Sequence, residues 1–179
     1  MSSNTTPLPD ATIRFDNLPS AGRSIEVGAT REEREVIAER LNVTSVELLQ
    51  AKLHASPIKG GIQVQGRVEA KVTQPCVITF VPVVQSISET FARVFLHGRE
   101  EEYTGPPGAE VFIDLEGEDL PDYFEGPEVD FSDLILEAVA LAIDPYPKAP
   151  GAEVPEAFSE EDEDTSPFAS LKQLKSPRD

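Results

Sequence analysis

Apolar and polar residues alternate most regularly between Ile62 and Val72. Ile62, Val64, Val68, Ala70 and Val72 alternate with Gln63, Gln65, Arg67, Glu69 and Lys71, the period of a strand with one buried face. Gly66 falls in the inward register and predicts a bulge or a close backbone approach. Apolar runs at Ala11–Phe15, Ser24–Val27, Val46–His54, Val77–Val84 and Ile87–Leu96 predict further strands, with Pro82 near a strand end. Val111–Leu115 predicts a short additional strand within an acidic, turn-rich stretch.

Two segments carry helical spacing instead. Thr30-Arg31-Glu32-Glu33 fits a capping box ahead of a helix over Arg31–Leu41, with Val36, Ile37 and Leu41 as its narrow apolar stripe. Asp130 predicts a second helix start, favoured also by Asp133 in its first turn. In that helix Phe131, Leu134, Ile135, Ala138, Leu141 and Ala142 share one predicted core face, and Asp144-Pro145-Tyr146-Pro147 ends it. The expected fold is α+β: a mostly antiparallel, curled or partly closed β-sheet with a few packed helices. The expected organisation is a flexible N-terminus over 1–10 and a single domain over 11–150. An acidic, disordered linker over 151–166 and a short amphipathic helix over 167–175 follow, with Phe168, Leu171 and Leu174 on one face of the helix.

Charge changes this picture because it is not spread evenly. Residues 1–98 hold ten Lys/Arg and ten Asp/Glu; residues 99–164 hold two and twenty-two; residues 165–179 hold three and one. Such polarity bears on partners rather than on fold: the acidic part repels polyphosphate and attracts a basic protein. Glu160-Glu161-Asp162-Glu163-Asp164 next to the Phe168, Leu171, Leu174 hook is therefore a candidate partner-binding segment, the hook docking on its own domain, docking on a partner or holding no stable structure. The opposing expectation is direct RNA binding through Arg67, Lys71 and Arg93, all assigned to outward strand positions.

Candidate chemistry adds little. The single cysteine, Cys76, excludes an internal disulfide and a multi-cysteine zinc site. With no base or helix start in view, it reads as a buried structural thiol. His54 and His97 have no motif neighbours and read as surface or strand-end residues. The acidic runs lack calcium-loop spacing, and no phosphate-cradling glycine motif is present. The expectation is a non-enzymatic protein without metal or cofactor. No stretch has the ~20 apolar residues of a membrane span, and the N-terminus does not read as a signal peptide. The expected setting is cytoplasmic and monomeric.

Three blocks then resemble one family. Cys76-Val77-Ile78-Thr79-Phe80-Val81-Pro82-Val83 is similar to the Cys-x-Arg-Cys-Leu-x-Pro-Val-like signature of the YceD family of large ribosomal RNA subunit accumulation proteins. Ile78 stands in place of its arginine and Thr79 in place of its second cysteine. Val129-Asp130-Phe131 through Glu137 to Leu141-Ala142-Ile143-Asp144-Pro145 resembles the second block. Ser166-Pro167-Phe168 through Leu171 and Leu174 to Lys175 resembles the C-terminal one. The lost second cysteine and the Asp-Pro-Tyr-Pro end look like the alphaproteobacterial branch. The resemblance implies a non-enzymatic role in accumulation, processing or stability of large-subunit ribosomal RNA. A basic ribosomal or assembly protein is the expected partner, with rRNA itself as the alternative.

Overall fold

The computed structural model describes residues 7–99 and 120–153. The expectations for Val111–Leu115, for the acids at 160–164 and for the Pro167–Lys175 hook lie outside the described residues. Strands β1 (Thr12–Arg14), β2 (Arg23–Gly28), β3 (Ser45–Ile58), β4 (Gly61–Pro75), β5 (Pro82–His97), β6 (Asp122–Phe124) and β7 (Glu128–Asp130) are joined by helices α1 (Arg31–Leu41) and α2 (Ser132–Ala142). Five strands form one sheet in the order β2-β3-β4-β5-β6, and β1 pairs with β7 separately. The pairings are antiparallel except β5–β6.

The α+β class holds, but the sheet is open, not curled or partly closed. Closure needs the two edge strands to pair; here β2 and β6 sit at opposite edges, and β6 meets β5 only over Phe95–His97. Alternation along a strand says which face is buried and nothing about whether edges meet.

The β4 alternation is realised in full: Ile62, Val64, Val68, Ala70 and Val72 are buried. Gly66 pairs in unbroken register with Leu53 and Phe91, so it marks a close approach and not a bulge. A Cβ there would sit 2.7 Å from the Lys52 carbonyl oxygen and 2.8 Å from the Phe91 ring. The register shift lies instead in β3, between Val46 and Leu48.

Helix α1 starts on the expected capping box, with Thr30 N–H donating to Glu33 Oε2 at 2.7 Å and Glu33 N–H to Thr30 Oγ1 at 3.3 Å. Its buried stripe is Ile37 and Ala38 with Leu41 partly covered, while Val36 is 58% exposed. The helix is rotated from the expected stripe as Arg34 donates to the Glu47 carbonyl and Arg40 pairs with Asp133 of α2.

Helix α2 does not start on the expected Asp130 cap: its N-cap is Phe131, without a side-chain cap bond, and the Asp130 carboxylate accepts from Ser132 N–H at 2.8 Å just ahead of the helix. Leu134, Ile135, Leu136 and Val139 are buried, but Leu141 is 81% exposed, against its expected core position. The buried face is centred on the Ile135–Val139 line, and Leu141 sits on the flank beside β5. Among residues 7–10, Leu8 is buried, and its carbonyl accepts from Ser132 Oγ at 3.1 Å. Both helices and the inner sheet face join in one core.

Candidate functional site

The apolar run Val77–Val84, expected to be a strand, is mostly a loop. Only its last three residues belong to β5, and the chain reverses between Pro75 and Pro82, which pair across the end of β4 and β5. The reversal is closed by local bonds: Cys76 N–H donates to the Val81 carbonyl at 2.8 Å, and Phe80 N–H to the Cys76 carbonyl at 2.9 Å. Phe80 takes φ 59°, the left-handed region where a bulky side chain is strained.

Cys76 is the hub of this loop. Its side chain is fully buried, and Sγ accepts from Ile78 N–H at 3.4 Å, Thr79 N–H at 3.4 Å and Ala149 N–H at 3.3 Å. The expectation of a buried thiol holds. The expectation that nothing favours its thiolate does not, because backbone donors converge on it as they do in an anion nest. The Thr79 hydroxyl, then the Ala149 N–H and the N–H groups of Thr79 and Ile78 pull the thiol from 9.0 down to about 6. Thr79, standing in place of the family's second cysteine, serves here as a donor to the first.

This geometry has a pH consequence. A thiol that ionises more readily folded than unfolded adds stability in full above its unfolded value of 9.0, less as pH falls toward about 6, and none below that. Thiolate ultraviolet absorbance of the folded protein is therefore expected to titrate near 6, and urea stability to rise between 6 and 9. In Cys76→Ser both effects should be absent. A wild-type thiol titrating at its unfolded value would show that the convergent donors do not act on the charge.

A second segment locks onto the loop. The Pro147 carbonyl accepts from Val77 N–H at 2.9 Å. Gln85 of β5 clamps the end of α2, its Nε2 donating to the Ala142 carbonyl at 2.8 Å and its Oε1 accepting from Asp144 N–H at 3.0 Å. Four of the resemblance positions, Cys76, Pro82, Val83 and Pro145, are thereby gathered at one end of the sheet. Val77, Phe80, Val81, Val84 and Tyr146 are exposed there, half of the exposed large apolar residues among those described. Sequence reasoning missed this surface because an apolar run reads as a strand; the prolines at both ends of the run were the available signal.

The remaining candidates fall elsewhere. Asp130 is at the opposite end of α2, and Glu137 is on its middle turn. Arg93 is not outward. It lies across from Val64 on the helix-covered face, is 19% exposed, and its Nη2 pairs with Glu137 Oε1 at 3.1 Å. The reason is the β5 register, which places Arg93 in the same row as Phe91 and Phe95. Arg67 and Lys71 do project from the outer face, and Arg67 there donates to Ser88 Oγ at 2.6 and 3.0 Å. The structure thus separates Arg93 from the other two cations. His54 accompanies Ser24 on the β2–β3 pair at 2.9 Å, and His97 ends β5 stacked on Phe15. Among the described residues no group of three or more His, Cys, Asp or Glu side chains is placed to hold a metal. No helix there is long and apolar enough to cross a membrane.

The fold and site together define an α+β scaffold that uses a cysteine-centred loop to present apolar side chains at one end of an open sheet. Residues 64–175, well over half of the chain, match the family described as large ribosomal RNA subunit accumulation protein YceD. The chain belongs to that family, whose role lies in accumulation of the large ribosomal RNA subunit. No curated protein and no solved structure matches the chain at a significant level.

Proposed function

We propose that this protein is a non-enzymatic, cytoplasmic ribosome-biogenesis factor that binds a basic ribosomal or assembly protein, and so supports synthesis, processing or stability of large-subunit rRNA. The observation that carries the reading is the excess of twenty acids over residues 99–164. Sequence of that sign steers a basic protein toward it and gives salt-sensitive contacts. The same sign opposes RNA, whose binding needs a basic footprint. Two of the three cations proposed for RNA have partners of their own, Arg93 in Glu137 and Arg67 in Ser88, with Glu69 at 3.9 Å, which supports the reading.

Affinity purification of the tagged full chain, with and without RNase, tests the reading. Basic ribosomal proteins are expected to stay bound after RNase and to leave as salt is raised. Loss of every ribosomal protein on RNase treatment, together with a gel shift of rRNA fragments abolished in Arg67→Ala/Lys71→Ala, would overturn it in favour of direct rRNA contact.

A further inference from the structure

Strand β5 leaves most of one edge open. It runs over sixteen residues, Pro82–His97, with β4 along one side, while β6 covers the other only at Phe95–His97. Among the described residues no strand pairs with that second edge from Pro82 to Val94. Native sheets cover long edges with a helix or a loop, because unpaired N–H and C=O groups recruit other chains. Helix α2 packs over β5 and leaves a groove there, lined by the consecutive β5 residues Glu89–Arg93 and by Leu134, Glu137 and Leu141 of α2. Successive strand residues point to opposite faces, so a groove that all five line reaches around the open edge. On its α2 wall Leu141 is 81% exposed, the most exposed of the large apolar side chains described. Glu89 shares the row of Phe91 and Arg93, and among the described residues no cation pairs with it. Arg93 is taken by Glu137. The groove thus has apolar walls and two acids to one cation.

The chain carries a segment of matching makeup. Phe168, Leu171 and Leu174 share one face at helical spacing, and residues 165–179 hold three Lys/Arg against one Asp/Glu. We propose that this segment docks in the β5–α2 groove of its own domain, its apolar face on Phe91, Leu134 and Leu141 and its Lys172 and Lys175 toward Glu89 and Glu137, so that it covers the open edge. The path of the chain brings it within reach. Val77 N–H to the Pro147 carbonyl and Ala149 N–H to Cys76 Sγ hold residues 147–149 at the start of β5, and Gln85 holds Ala142, the last groove residue of α2, at the same end. Phe168 follows Glu153 by fifteen positions, a span that reaches about 50 Å when extended. The α2 wall from Leu134 to Ala142 is only about 12 Å long. A tether of this kind holds the segment at an effective concentration on the order of a millimolar, an advantage that no outside partner shares. The family match over residues 64–175 takes in the groove and the segment together. A second copy would bring a further net charge of −18, and RNA would meet Glu89 and Glu137. Docking in cis does not depend on the partner being a basic protein, and its failure leaves that reading in place.

Amide spectra of the full chain and of a chain lacking residues 166–179 test the docking. Shifts are expected at Glu89–Arg93 and Leu134–Ala142, with unchanged β2 and β3 amides marking an intact fold. Phe168→Ser/Leu171→Ser in the full chain should reproduce them. Leu141→Ser strips one wall without touching the core, and should speed tryptic cleavage at Lys172 and Lys175 about tenfold, the effect of losing one well-seated contact. Groove amides unmoved by the deletion, or cleavage unchanged in Leu141→Ser, would overturn the docking. Shifts confined to Val77–Val84 or to any other surface would overturn the groove as its place. Groove shifts that fade as the full chain is diluted would assign the groove to a second copy. Groove amides that ignore the deletion yet move on adding a Lys/Arg-rich amphipathic peptide would assign it to a basic partner, and movement on adding an RNA oligonucleotide would assign it to RNA; each of these three overturns the proposal.

Discussion

Phe131→Ala is expected to lower the stability of this protein by about 3–5 kcal/mol, the range for removing a buried aromatic from a packed core. Phe131 is fully buried where β7 passes into α2, and its ring meets Phe95 of β5 edge-to-face at 5.2 Å. Its backbone ties the same junction: Phe131 N–H donates to the Ala11 carbonyl at 3.1 Å, and the Phe131 carbonyl accepts from Ile135 N–H at 3.0 Å. The side chain therefore joins the N-terminal segment, the sheet and the helix, and a void there cannot be filled by one element moving alone. Urea unfolding should show a lower midpoint at unchanged slope, and Phe131→Leu should cost much less. A loss below about 1 kcal/mol in the alanine variant would mean that the junction collapses onto the void.

Glu137→Leu is expected to cost about 1–2 kcal/mol, more than its half-exposed position suggests. A surface ion pair contributes little, and solvent screens the exposed side of this one. Arg93 is the reason for the larger figure: its side chain is 19% exposed, and its Nε is already buried without a hydrogen-bond partner. Removing Glu137 leaves a largely desolvated charge uncompensated, and that loss outweighs the worth of the pair itself. Arg93→Met/Glu137→Leu should therefore recover much of the stability, because the groove around the pair is lined by Phe91, Leu134 and Leu141 and can accept apolar groups. A double-mutant cycle reads this directly; additive losses would show that the two side chains act independently. The same cycle bears on RNA, since an arginine held by Glu137 beneath α2 is not available to a phosphate.

The Cys76 end of the sheet is only partly legible in the sequence. The motif residues Cys76, Pro82 and Pro145 stood out as a resemblance, and their order along the chain says nothing of where they meet. Gln85 decides that, because one side chain binds both the end of α2 and the start of Asp144–Pro147. The exposure of Phe80 and Tyr146 carries no sequence signal, since an exposed aromatic is recognised only once burial is known. The acids and the spacing of Phe168, Leu171 and Leu174 are properties of the sequence and need no fold to be read.

By itself the sequence determined what depends on near neighbours: the β4 alternation, the α1 capping box, the presence of α2, the location of the acids and the family blocks. Those signals arise from backbone periodicity, local hydrogen bonding and composition, all short in range. Tertiary structure alone decided that the sheet stays open, that Arg93 turns inward to Glu137, that α1 and α2 rotate to expose Val36 and Leu141, and that Val77–Val81 forms a loop around a sulfur. Each of these depends on register and on partners far away in the chain. A period of two assigns faces, but only the pairing of strands and the packing of helices selects which face, edge or end meets water.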